Sequence, residues 1–398
     1  MSNPHNRFLW ALTGCFGATL LPIFIFNFVS ISNTIGNYQL ILLASQWQQQ
    51  THGITFAGGL GAPDSHLLFK VLRLNDRLPE INTVVLGSST VMGITQKAFP
   101  EPYRIYNMAI NNMSTVADNY NPLSISIGEA EFIQEHHRNI KWFVIPLDWS
   151  LGFIYWDFPP LSMSQFMLEP MQVAKSDSAM VSATDIMSEA ISYPRIANLF
   201  KSIKAVFLAN NKWDSLHKNF SQIGSDYICP DGSPGKDFDP MYRGTCTGFR
   251  FDGSATFANN ERVGKNAPFE IRASLDPDRM YSKSLMFTNG VPSQALLKRL
   301  VDIDRHAKQN NGGVIFIRPP MLPGVEDEFM RHPQLAEALF NTKKILDEWA
   351  RQNHLSLINA GRSDLFGCGI DEFVDAHHAV DSCYKKVFES YFSPLPKA

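Results

Sequence analysis

Two short stretches at opposite ends of the chain carry side chains able to make and break an ester. Gly87-Ser88-Ser89-Thr90, continued by Val91-Met92-Gly93, directly follows an apolar run at 81–86. A serine at the carboxyl end of a strand, beside a glycine that permits a tight turn, stands where ligands and nucleophiles gather in open α/β sheets. Backbone N–H groups opening the next element can stabilise an oxyanion there. By itself the stretch also reads as an ordinary helix cap, a position that serine favours. The second stretch is Phe373-Val374-Asp375-Ala376-His377-His378. A carboxylate three residues before an imidazole can fix its tautomer and stabilise its charged form, while the other ring nitrogen takes a serine's proton. The spacing favours His378 over His377 as that base; the bland alternative is a pair of capping or solvent-facing histidines.

Together, the strand-end G-x-S and the D-x-x-H before the terminal helix resemble the first and last blocks of the SGNH (GDSL-like) hydrolases. The resemblance covers roughly 81–392, apart from a long middle segment. The family's first block is usually G-D-S, so Ser88 stands where the Asp would be and Ser89 takes the nucleophile's place. The G-S-S form looks more like the membrane-anchored relatives that act with cell-envelope acyltransferases, such as the proteins of teichoic-acid D-alanylation and alginate acetylation. The resemblance implies a three-layer α/β fold with a flavodoxin-like parallel sheet and a triad of Ser89, His378 and Asp375. It calls for no cofactor and no metal. The second family block falls at 106–114, where Asn112 occupies the place of the oxyanion-hole glycine and Asn111 stands beside it as a further donor. The third block usually supplies an Asn, but here reads Pro146-Leu147-Asp148-Trp149. An ionised Asp148 only accepts hydrogen bonds, so it is expected to orient a loop, a partner or a substrate hydroxyl. Arg318, ending an apolar run at 314–317, is expected beside the site, meeting an anionic group or pairing with a surface acid.

The elements that must position these residues follow from periodicity. Apolar runs at 81–86, 103–108, 140–147, 314–317 and 355–359 predict strands, and amphipathic stretches at 115–137, 293–310, 334–353 and 381–392 predict helices. A further helix is expected between the first two strands. This alternation is that of a parallel sheet covered by helices. It is interrupted at about 152–291 by helical patches at 183–209 and a Gly-, Pro- and Asp-rich stretch at 222–278, read as an insertion over the sheet. Residues 36–75 read as a connector, Gly-rich at 53–61, so the α/β domain is expected over 76–398.

Ahead of it, 8–31 is apolar and carries no Lys, Arg, Asp or Glu, long enough to span a bilayer as a helix of about 20 residues. The expectation is one uncleaved transmembrane anchor within 1–35, with Pro22 tolerated as a kink. A cleaved signal peptide is the alternative, but its apolar stretch is shorter and ends in a small-residue pattern. Arg7 before the span, against Lys70 as the first cation after it, favours an inside amino terminus. The domain then faces the periplasm or exterior.

Cys15 lies in the span, while Cys229, Cys246, Cys368 and Cys383 form an even set in the soluble part. Neighbour pairing predicts Cys229 with Cys246 and Cys368 with Cys383, which an oxidising compartment would preserve, although other pairings stay open. Zinc spacing is lacking. The formal net charge of −3 offers no field for phosphates, which sets nucleic acid aside as a partner. Glu135-His136-His137-Arg138 reads as a cationic helix end, and the acids Asp231, Asp237 and Asp239 miss the EF-hand spacing. The aromatics at 149–158 suit sugar stacking or buried packing alike.

The expectation is therefore an anchored serine esterase or O-acyltransferase acting on an acylated glycan or another envelope ester, beside a multi-pass membrane acyltransferase. Its competitors are a catalytically impaired glycan-binding or scaffold subunit and a lipase acting on bilayer lipid.

Overall fold

In the computed structural model, the described residues are 45–46, 48–50, 52, 55–56, 63–110, 122–148, 248–255, 263–277 and 279–393. The expected anchor, the helical patches at 183–209 and the aromatic stretch 149–158 lie outside them. Among the described residues, no helix is long and apolar enough to cross a membrane.

Seven strands are described: β1 (Thr55–Phe56), β2 (Thr83–Val85), β3 (Ile105–Asn107), β4 (Trp142–Pro146), β5 (Gly248–Phe249), β6 (Gly313–Arg318) and β7 (Ser356–Asn359). The helices are α1 (Pro63–Arg77), α2 (Pro122–His136), α3 (Ala267–Ala273), α4 (Met280–Thr288), α5 (Gln294–Gln309), α6 (Val325–Phe329), α7 (Pro333–Gln352) and α8 (Asp381–Phe392).

Five strands form one parallel sheet in the order β3-β2-β4-β6-β7, and β1 pairs with β5 in a separate antiparallel ribbon. Ranked by position in the chain, the large sheet runs 2-1-3-4-5, the order of flavodoxin-like sheets, whose connections reverse direction between the first and third strands. Ser89 follows the first of these strands.

Every residue of β6 is buried, as expected of a central parallel strand covered on both faces. Successive side chains divide between two cores. Val85, Val144, Ile315, Ile317 and Ile358 point to one, with α8 and Phe329 of α6. Val84, Phe143, Ile145, Val314 and Phe316 point to the other, under α2, α5 and the end of α7. Each such side chain contributes roughly 1.5–3 kcal/mol by leaving water.

Two expectations need correction. Between β2 and β3 there is no α-helix but two 3-10 turns, Ser89–Val91 and Gln96–Ala98. Side chains satisfy the backbone there: the Asn107 amide donates to Val91 O and Ile94 O, each at 2.9 Å, and Gln96 Oε1 accepts from Ile105 N at 2.7 Å. The connector range also contains α1, whose Leu67, Val71 and Leu74 are buried against the sheet.

Part of the range read as an insertion is built into the body. Asn107 N donates to Asp252 O at 2.7 Å and Ala255 N to Met92 O at 2.8 Å, so 248–255 returns to flank the β3 edge.

Candidate active site

The turn that carries Ser89, the candidate nucleophile, is built by Gly87. Its φ is +131°, and a Cβ there would lie 2.4 Å from Pro146 Cγ and 2.9 Å from Val91 Cγ2. Only glycine lets the chain leave β2 this sharply while passing so close to β4. Ser88 is buried and Ser89 half-buried, so the second serine is the one turned toward the site.

The partner loop is tied down at several points. Val374 N donates to His378 O at 2.9 Å, Val380 N to Glu372 O at 3.0 Å, and Leu322 N to Ala376 O at 3.0 Å. The Cys368–Cys383 disulfide closes this loop, at a sequence separation of 15. In α8, Tyr384 Oη donates to Thr90 O, which joins the loop's far end to the nucleophile turn.

Within this frame Ser89, His378 and Asp375 meet. His378 Nε2 lies 2.8 Å from Ser89 Oγ, and His378 Nδ1 lies 2.7 Å from Asp375 Oδ2. Asp375 Oδ1 accepts from His377 N at 2.9 Å and His378 N at 3.0 Å. Burial pushes the Asp375 carboxyl up, but His377, His378 and these hydrogen bonds outweigh it and hold the group well below the usual carboxylate range. An ionised Asp375 fixes the imidazole with Nδ1 protonated, leaving the Nε2 lone pair for the serine proton.

His377 stacks obliquely on His378, ring centroids 4.1 Å apart. Desolvation pushes its pKa down to about 4, against the pull of Asp375, so it stays neutral where a base must work. Asp375, His377 and His378 are also the only group among the described residues whose ligand atoms lie near enough to share a metal ion. The 2.7 Å between Nδ1 and Oδ2 is a hydrogen-bond distance. Two ligands around a tetrahedral zinc, each bonded at roughly 2.0–2.2 Å, would stand farther apart.

Asp148 lies at the site but not as an oxyanion donor. Its Oδ2 accepts from Ser88 Oγ at 3.1 Å and Thr90 Oγ1 at 3.3 Å, bracing the two residues that flank Ser89. For Arg318, the acid it pairs with is buried rather than on the surface. Arg318 Nη1 donates to Asn359 Oδ1 at 2.7 Å and its Nη2 to Glu326 Oε1 at 2.9 Å, and the Glu326 side chain is 1% exposed. Asn111, Asn112, Cys229 and Cys246 lie outside the described residues. The Ser89 N–H opens the 3-10 turn Ser89–Val91 and so has no acceptor within it.

A cavity of about 80 Å³ is lined by Thr90 and His377, the chain neighbours of Ser89 and His378, with Asp148, Arg318, Leu285 and Phe329. The sequence reading missed two positioning groups, Tyr384 and Asn107. Neither stands in a spacing that points to chemistry, and only long-range contacts reveal them.

The disulfide yields a prediction. Closing a 15-residue loop is worth about 3 kcal/mol, so the Cys368→Ala/Cys383→Ala protein should unfold in urea with stability lowered by about that much. A loss below about 1 kcal/mol would show that other contacts already order the loop.

No family model, curated protein or solved structure matches this chain.

Proposed function

We propose that the chain is a membrane-anchored serine esterase or O-acyltransferase of the three-layer SGNH type, acting on an acyl ester of a cell-envelope polysaccharide. The observation that carries this reading is the continuous relay from Ser89 Oγ through both nitrogens of His378 to Asp375. The relay takes ester chemistry in two balanced halves.

In the first half, Ser89 Oγ bonds to the ester carbon as its proton passes to His378 Nε2, and the carbonyl oxygen takes the negative charge. Collapse breaks the bond to the leaving oxygen, which takes that proton from Nε2. Acyl-Ser89 remains. In the second half, water or a glycan hydroxyl loses its proton to Nε2 and attacks the acyl carbon, and the returning proton restores Ser89. Water gives a free acid and so an esterase; a sugar hydroxyl gives a new ester and so an acyl transfer. The apolar segment 8–31 supports membrane anchoring, and with it an envelope substrate and a multi-pass acyltransferase as partner.

The test is burst and steady-state release of p-nitrophenol from p-nitrophenyl acetate by the full-length protein in detergent, with mass spectrometry of the intact chain. An acetyl adduct on Ser89 that Ser89→Ala and His378→Ala both abolish is expected. A folded wild type that forms no adduct with this or longer acyl donors supports the second reading, a glycan-binding or scaffold subunit. That reading draws on Asp148, an acceptor where an oxyanion donor would serve.

A further inference from the structure

Lys70, in the middle of α1, is fully buried, and the reaction steps above make no use of it. Its Nζ donates to Asn107 O at 3.0 Å, Gly253 O at 2.9 Å and Ala109 O, and it lies 4.4 Å from the centre of the Phe249 ring. Three carbonyls match the three donors of an ammonium; a neutral amine has only two.

What these carbonyls belong to gives Lys70 its reach. Asn107 and Ala109 turn their C=O groups outward to Lys70, while the alternate N–H groups, those of Met108 and Ile110, donate to Val85 O at 2.7 Å and Gly87 O at 3.2 Å. Val85 and Gly87 lead straight into Ser88 and Ser89. The Asn107 side chain in turn donates to Val91 O, in the turn that Ser89 opens, and accepts from Ala109 N at 2.9 Å. Lys70 therefore takes the place of a further strand along this end of β3, whose other side carries the nucleophile turn. Through Gly253 it fastens the returning segment 248–255 to the same edge.

Resting on the serine reading above, we infer that Lys70 is a positioning residue for Ser89: its ammonium, by holding Asn107 O, Ala109 O and Gly253 O together, sets the strand end that fixes the nucleophile turn. The charged groups acting on it are Asp252, from the returning segment, and Glu129, from α2. Both favour the protonated form, while burial lowers the pKa to about 7. The two Glu129 oxygens are buried without a hydrogen-bond partner, and burial pushes that carboxyl up, with Lys70 opposing.

The consequence is an alkaline limb in turnover. A base at His378 must be neutral, so its titration produces only an acid limb. Loss of the Lys70 proton removes one of the three bonds and loosens the turn at high pH. The experiment is the pH profile of kcat and KM for p-nitrophenyl acetate with the full-length wild type, Glu129→Gln and Lys70→Met. Glu129→Gln should move the alkaline limb to lower pH by about 1 unit, the effect of one lost opposite charge nearby, with KM unchanged. Lys70→Met should lower kcat about 10²-fold, as a small misplacement of a reacting group does, and abolish the limb. Should Lys70→Met fail to fold, the Glu129→Gln shift decides alone. Ser89-dependent turnover whose alkaline limb ignores Glu129→Gln overturns the Lys70 inference and leaves the serine reading standing. A wild type with no Ser89-dependent turnover overturns both.

Discussion

Asp375→Asn is expected to lower kcat for Ser89-dependent ester turnover about 10⁴-fold, the cost of a wrong imidazole tautomer in a triad of this design. An Asn oxygen at the Oδ1 position still accepts from His377 N and His378 N, so the loop keeps its shape. The new amide N–H₂ then faces His378 Nδ1 in place of the Oδ2 that stands 2.7 Å away. Facing a donor, Nδ1 must accept, so the ring proton moves to Nε2, the atom 2.8 Å from Ser89 Oγ. That atom can no longer take the serine proton. KM should change little, since nothing that touches substrate has moved, and the acyl adduct should form slowly rather than vanish. A second consequence concerns acid stability. The folded-state pKa of Asp375 is depressed, so its contribution is present above the ordinary carboxylate pKa, about 3.9, and is lost as pH falls through the folded value. The Asn variant should lack that acid-side loss. A decrease of less than about tenfold in kcat would mean that Asp375 does not orient the base.

The second large effect is structural. Arg318→Leu should lower stability in urea unfolding by about 1–3 kcal/mol, because it leaves a buried carboxylate oxygen without its hydrogen-bond partner. Glu326 keeps Lys343 Nζ at 2.5 Å on Oε2 but loses the partner of Oε1, which is sealed beneath Gly361, where a Cβ would lie 2.1 Å from it. Arg318 also bonds Asn359, its register partner across β6 and β7, so the loss falls at the carboxyl end of the sheet, where the cavity lined by Thr90 and His377 lies. The Arg318→Leu/Glu326→Leu protein should recover much of the stability, since both charges then leave together. If the single substitution costs less than 1 kcal/mol, the pair is not the fastening that its burial implies.

The strands of the parallel sheet and the helices α2, α5, α7 and α8 were legible because their signals are local. The runs at 314–317 and 355–359 became β6 and β7, and 381–392 became α8 without a shift at either end. Each is a periodic pattern whose burial follows from its own composition. The helix expected between β2 and β3 failed for the opposite reason. Pro100, Pro102 and Gly93 weaken helix there, and the amide of Asn107, from the neighbouring strand, outcompeted the intrahelical bonds. Sequence periodicity cannot register such a bond.

For the site, residue types and spacing left Ser89, Asp375 and His378 as candidates beside bland alternatives, and only the resemblance of the two stretches, taken together, to the first and last blocks of a hydrolase family joined them into one site. Tertiary structure alone decided how the remaining polar residues are used. Asp148 braces Ser88 and Thr90, and Arg318 is locked into Glu326 and Asn359. Lys70, read only as the first cation after the apolar segment, became the buried fastening of β3. A polar side chain's role depends on which partners the fold brings within about 3 Å, and contacts between residues far apart in the chain arise only when the sheet closes.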